Sequence, residues 1–421
     1  MVADRRDLSH ADLLPEYPFL EYPFLSSGLT ACPLMMTDAE FLARFIPFSG
    51  LRYSTEAFID YRIPGCAPKK NYALIGPGVS QNPNQPVSLR EKHGFQVGGV
   101  AMPPGKTNPP HMHFTAEVFI CTRSHWDLHW GFNPDPLKAT IGPGDIASLP
   151  TWIYRGFQNV GDQEGFMFTA LGRDDTGGIL WGPQTLEAAR QQGVHLTEDY
   201  QIIDEQLGQR WDEATMRRLQ PMTPQEIAGL RRWSPAEMAQ RVVRHADLRW
   251  SSRALLGAAL PGGGAELAPV IGLGISEDRD HLAPVANAHG FSIEWLRIPA
   301  GGQVPAHRLD AQQVLTVYRG RLQIQVSNRP PSLMEYGSSA TEIVATGGPD
   351  HWDSYAMPAR AWRHLSNPGD TDTEVLLMTP GDGRKRIEWA PAVVQAAAAA
   401  GHAIDADGYL APKRYTDRSQ R

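Results

Sequence analysis

The chain has 421 residues, of which 42% are hydrophobic and 20% charged, with a formal net charge of −7. That length exceeds one ordinary core, so two domains are expected, and an acidic balance without a long basic run excludes nucleic acid as an expected partner. The N-terminus lacks a signal-like apolar core and no 18-residue apolar run follows, so a cytoplasmic protein without a membrane span is expected. Cys32, Cys66 and Cys121 are too few and too scattered for a disulfide framework or a zinc knuckle, which fits a reducing compartment.

Residues 1–36 read as an N-terminal arm. They carry a short duplication, EYPFLEYPFL (Glu16 to Leu25), and are expected to pack on a barrel or on a partner subunit. A helix start follows in "TDAEFLAR", where Thr37 and Glu40 have capping-box spacing. Short strands between glycine turns come next. One of them, "PPHMHFTAEVF" (Pro109 to Phe119), holds His111, His113 and Glu117. The unit closes with "LWGPQTLEAARQQG" (Leu180 to Gly193), a helix with Pro near its start and Gly past its end.

The pattern then recurs. Residues 201–233 read as a helical linker, with Thr223 and Glu226 again in capping-box spacing. "SPAEMAQR" at Ser234 matches the helix start at Thr37, and "HGFSIEWLRIPAGG" at His289 matches "HGFQVGGVAMPPGK" at His93. The second copy closes with "EWAPAVVQAAAAAG" (Glu388 to Gly401) after an insertion around "NRPPSLMEYGSSATE". Internal repetition of this length means two homologous domains. They are placed at 37–200 and 234–409, with 410–421 as a tail. "LTVYRGRLQIQVS" (Leu315 to Ser327) alternates around Gly320 and reads as a hairpin.

These units resemble the cupin superfamily. Its first motif separates a glycine from H-x-H by five residues, and H-x-H from a glutamate by three or four. Gly105, His111, His113 and Glu117 follow it, although Ser124 stands where the motif closes on glycine. The second motif expects P-x-G, then a histidine and an asparagine; the chain has Pro150, Trp152, Arg155 and Asn159. In the second copy the corresponding residues are His307, Leu309, Gln313, Pro358, Arg360, Arg363 and Asn367. The whole is similar in architecture to bicupins such as the gentisate and quercetin dioxygenases. The resemblance implies a mainly β chain of two tandem jelly-roll barrels with flanking helices, assembling as a homo-oligomer.

Residues two apart on a strand face the same way, so His111, His113 and, if phase holds, Glu117 share a wall. Two imidazoles and a carboxylate suit one divalent metal, with Fe(II) expected and Mn, Ni, Co or Zn as alternatives. The second copy keeps only His307 and is expected to hold none. Arg155 has two readings, a clamp for a substrate carboxylate or a structural partner of an acid. Trp126, Trp130 and Trp152 are expected to shape an apolar pocket for a small anionic or aromatic substrate. The resemblance implies an Fe(II) dioxygenase; a redox-neutral isomerase, lyase or decarboxylase and a non-catalytic binding protein are the alternatives.

Overall fold

The computed structural model describes residues 35–132, 137–329 and 340–417. The duplicated EYPFL segment, Cys32 and the middle of the second-copy insertion lie outside the described residues. The protein is mainly β. The first copy curls into two antiparallel layers. One contains strands Lys70–Ile75, Phe95–Met102, Glu117–Arg123, Ile146–Leu149 and Gly165–Gly172; the other contains Thr107–His113, Trp126–Trp130, Leu137–Ile141, Arg155–Asn159 and Ile179–Trp181. The second copy repeats this plan in the same register. Asn71 opposes Val100 as Leu267 opposes Leu296, and Gly98 opposes Thr169 as Glu294 opposes Leu377.

Turn chemistry explains the departures from the sequence motif. Ser124 adopts φ +72° where the second copy has Gly320 at φ +85°, and Trp152 and Arg360 both sit at positive φ in the place of a motif glycine. A non-glycine residue there carries strain of about 1–2 kcal/mol. The predicted hairpin at Gly320 is instead one long strand, Gln313–Ser327. The register slips between Val317 and Arg319, and this bulge bends the strand so that its two ends pair in different layers. The predicted helical linker is also corrected. Between 201 and 233 the α-helical part is only Pro224–Ala228, because each turn there ends before a second can propagate.

The capping boxes form as expected at Thr37/Glu40, Thr223/Glu226 and Ser234/Glu237. The two helical arms they start are exchanged between barrels. Phe45–Ile46 pairs with Ser354–Met357 of the second barrel, and Phe41 lies in that barrel's core. Reciprocally, Val242–Val243 pairs with Ile146–Leu149 of the first barrel, whose core takes up Met238. The sequence repeat and the packing unit therefore differ at both arms. Between the barrels lies a shared apolar core in which Phe95, Phe166 and Phe168 meet Phe291, Trp295 and Trp352. No helix among the described residues is long and apolar enough to cross a membrane.

The interface shows the pseudo-symmetry and one defect in it. His289 Nδ1 faces the Asn287 carbonyl, so its proton sits there, and the Ser148 hydroxyl donates to Nε2 at 2.6 Å. Arg241 Nη2 donates to the same Ser148 oxygen. On the other side the counterpart of Ser148 is Ala356, and His93 Nε2 and Arg44 Nη2 are buried without a partner. Ala356→Ser is expected to satisfy both atoms. It should raise stability by about 1–3 kcal/mol, two ordinary hydrogen bonds, and chemical denaturation against the wild type checks this.

Candidate metal centre

His111 and His113 lie on Thr107–His113, and Glu117 opens the next strand, so a three-residue turn brings all three onto the inner wall of the first barrel. Their ligand atoms lie within 4.8 Å of one another, and all three residues are buried. His111 Nδ1 is 2.9 Å from the Pro109 carbonyl and His113 Nδ1 is 3.4 Å from that of Gly178. A carbonyl only accepts, so these contacts favour the proton on Nδ1 and a lone pair on Nε2 facing the common point, although at His111 the Asn108 amide nitrogen, 3.0 Å from Nδ1, competes for the same atom. The donor set fits a divalent ion: two neutral imidazoles and a carboxylate, at a spacing that bonds of about 2.0–2.2 Å can close with small rotations. Burial, joined at His111 by its neighbour His113 and at His113 by Arg155, holds both imidazoles down to a pKa of about 3.

Arg155 is the residue that arranges Glu117. Its side chain is fully buried. Nη1 donates to Glu117 Oε2 at 3.1 Å, while the other guanidinium nitrogens donate to the carbonyls of Pro150 and Ile153. The clamp reading therefore gives way to the structural one, because the guanidinium is fully buried on Glu117 and main-chain carbonyls and does not line the cavity. The second barrel preserves the device without the charge. Arg363 donates to Gln313 and to the Pro358 carbonyl. With Leu309 and Gln313 in place of His113 and Glu117, His307 has no companion ligands there.

The cavity beside the three ligands is narrow. The space in it that the centre of a water can reach is about 80 Å³. None of the three expected tryptophans lines it. Trp126 and Trp130 point into the barrel's lower core, where their indoles donate to the carbonyls of Arg123 and Trp233. Trp152 is half exposed and leans on Phe114 outside. The aromatic wall is supplied by Trp181, whose ring lies 5.6 Å from that of His111, with Trp389 and His307 repeating the pair at 5.3 Å.

Sequence reasoning missed the rest of the wall. Asn71, Gly98, Asn108 and Thr169 face the cavity. Their counterparts are Leu267, Glu294, Val304 and Leu377. In the second barrel, burial pushes the Glu294 carboxyl up to about 8, and both its oxygens face the Ile275 amide. It lies against Gly274, so that side chain fills the space that Gly98 leaves open. Behind Asn108 sits a buried ion pair, Lys69 and Asp60 at 2.6 Å, with Lys69 also donating to Asn108 Oδ1. The second copy has Ala265 and Gly257 at these positions. The signal was available in the repeat, as a polar residue in one copy opposite an aliphatic one in the other.

No family model matches the chain, and no curated protein matches it. Among solved structures it is similar to the oxalate decarboxylase of Lactobacillus farciminis, with 14% identity and a TM-score of 0.48 over 82% of this chain and 88% of that one. It is similar also to Bacillus subtilis oxalate decarboxylase (11%, 0.47, covering 82% and 78%) and to the vicilin of Solanum melongena (12%, 0.48, covering 84% and 88%). The tandem barrels and the His-His-Glu set are what the resemblance to bicupins leads one to expect.

Two predictions follow from this geometry. Glu117→Gln, which writes the second barrel's residue into the first, should abolish metal uptake while leaving the fold intact, by elemental analysis and melting. Arg155→Lys should lower metal affinity by about 10- to 100-fold, the usual loss when a residue orienting a ligand is changed, whereas His307→Ala should leave it unaltered.

A third concerns pH. The folded imidazoles at 111 and 113 titrate near 3 and the unfolded ones near 6.5, so on acidification the unfolded chain takes up protons first. The stability this contributes is present above about pH 6.5 and is lost as pH falls toward 3. The melting temperature of metal-free protein should drop between pH 7 and pH 5, and His111→Gln with His113→Gln should flatten that slope.

Proposed function

We propose that the protein is a metal-dependent enzyme that binds one divalent ion in its first barrel and converts a small oxygen-bearing substrate without net oxidation. The observation that carries this reading is the convergence of His111 Nε2, His113 Nε2 and the Glu117 carboxylate beside a narrow cavity. A divalent ion held there supplies a Lewis acid that polarises a substrate oxygen and stabilises an enolate-like charge. The chain's own contribution is to hold that geometry. Pro109 and Gly178 favour the Nδ1–H tautomers, Arg155 fixes Glu117, and Trp181 packs against the outer edge of His111.

Size favours this class over cleavage of an aromatic ring. A cavity of about 150 Å³ holds benzene, and the space here is smaller. A dioxygenase needs room for O2 as well. The isomerase, lyase or decarboxylase alternative asks for one small substrate only. The ligand set itself, two histidines and one carboxylate, supports O2 chemistry on Fe(II) equally well, and an oxygen electrode separates the two. Protein loaded with Mn(II) or Fe(II) should turn over a small keto or hydroxy acid under nitrogen as fast as in air, and Glu117→Gln should not. Consumption of one O2 per turnover would overturn the redox-neutral reading.

A further inference from the structure

We infer that Asn71 and Thr169 form a recognition wall that reads the end of the substrate remote from the metal, and that this end is an uncharged hydrogen-bonding group such as a hydroxyl or carbonyl. The inference rests on the proposed metal site and names what that site selects.

The first argument is the internal control that the repeat provides. The two barrels share register strand by strand, so each interior position has a counterpart in a barrel with no ligand set. Asn71 and Thr169 correspond to Leu267 and Leu377, both buried in the second barrel's apolar core. The fold therefore accepts aliphatic side chains at both positions. Polar ones there weaken packing unless something bonds to them.

The second argument is an unmet valence. Asn71 is 8% exposed and lines the cavity, and its Nδ2 is buried with no hydrogen-bond partner. Its strand neighbours put it on the same face as Gly98 and Thr169. Asn71 opposes Val100, two residues from Gly98, and Gly98 opposes Thr169 directly. A Cβ at Gly98 would stand 3.0 Å from Thr169 Oγ1 and from the Tyr72 carbonyl. The missing side chain is what keeps this part of the wall open. Buried polar groups left unpaired in a native protein call for a ligand or a water.

Charge selects the class. Glu117 is the only charged side chain among the described residues lining the cavity. The two cations nearby are both committed, Arg155 to Glu117 and Lys69 to Asp60 and Asn108. A second carboxylate at the remote end would be buried without a cation, at high cost. An alkyl end would leave the Asn71 amide unpaired. A neutral oxygen that accepts from Asn71 meets neither penalty. The Lys69–Asp60 pair acts behind the same wall, since Lys69 takes up Asn108 Oδ1 while Asn108 Nδ2 lies 3.0 Å from His111 Nδ1, so Asn108 braces the ligand histidine rather than reading the substrate.

The test uses Mn(II)-loaded full-length protein and three four-carbon acids matched except at the far end: 4-hydroxybutyrate, butyrate and succinate. Calorimetric titration should show 4-hydroxybutyrate binding about three- to tenfold tighter than butyrate, one neutral hydrogen bond, with succinate weakest. Asn71→Leu and Thr169→Leu should erase the difference between 4-hydroxybutyrate and butyrate. A second readout needs no metal. Metal-free Asn71→Leu should melt above the wild type, because it removes an unpaired buried amide in favour of a residue the fold already carries in its other half. Tighter binding of succinate, an unchanged preference in both variants, or a lower melting temperature for Asn71→Leu would each overturn the proposal. If Mn(II) fails to bind at His111, His113 and Glu117, the metal reading falls, and the melting comparison still decides whether Asn71 is held for a ligand or for the fold.

Discussion

The contact between Arg155 and Glu117 organises the first barrel. A carboxylate buried beside two neutral imidazoles needs a counter-charge, and the guanidinium supplies it while anchoring its remaining donors on main-chain carbonyls. The pair is neutral overall, so a dication entering the site brings its full charge to bear on whatever binds next to it. The second barrel keeps the arginine and swaps the carboxylate for Gln313. That one change keeps the hydrogen bond and removes the ligand.

The two barrels are thus one fold put to different uses. In the first, small and polar residues open the interior. In the second, aliphatic residues and Glu294 fill it. The asymmetry extends to the Lys69–Asp60 pair, which has Ala265 and Gly257 as its counterparts. Gly257 could not carry any side chain, since its Cβ would meet Pro305 at 2.4 Å. A buried ion pair present in only one of two matched interiors goes with the ligand set rather than with the demands of the fold.

Much of this was legible in the residues. The repeat, its capping boxes and the Pro-to-Gly helices at 183–193 and 391–401 rest on local chemistry, and the structure places each where the spacing predicts. The ligand trio was legible because strand alternation alone puts His111 and His113 on one face. Three things were not. Gly320 lies just past a bulge inside one long strand rather than in a turn, and its positive φ fits either setting, so the residue cannot tell them apart. Trp126 and Trp130 are apolar on alternating positions, which says inward but not how deep below the cavity. The arms at Phe45–Ile46 and Val242–Val243 carry no mark of which barrel they join, because strand pairing across a long separation leaves no local signal. The polar wall stood in plain view and required reading the copies against each other rather than each alone.

The exchanged arms change what it means for the second barrel to have no ligand set. Val242–Val243 lies along Ile146–Leu149, which in turn pairs with the strand that begins at Glu117. The silent half thus covers a sheet edge one strand away from the ligand, an edge that would otherwise be open to another chain. The arm that the second repeat lends keeps that edge of the first barrel paired, whatever its own interior holds.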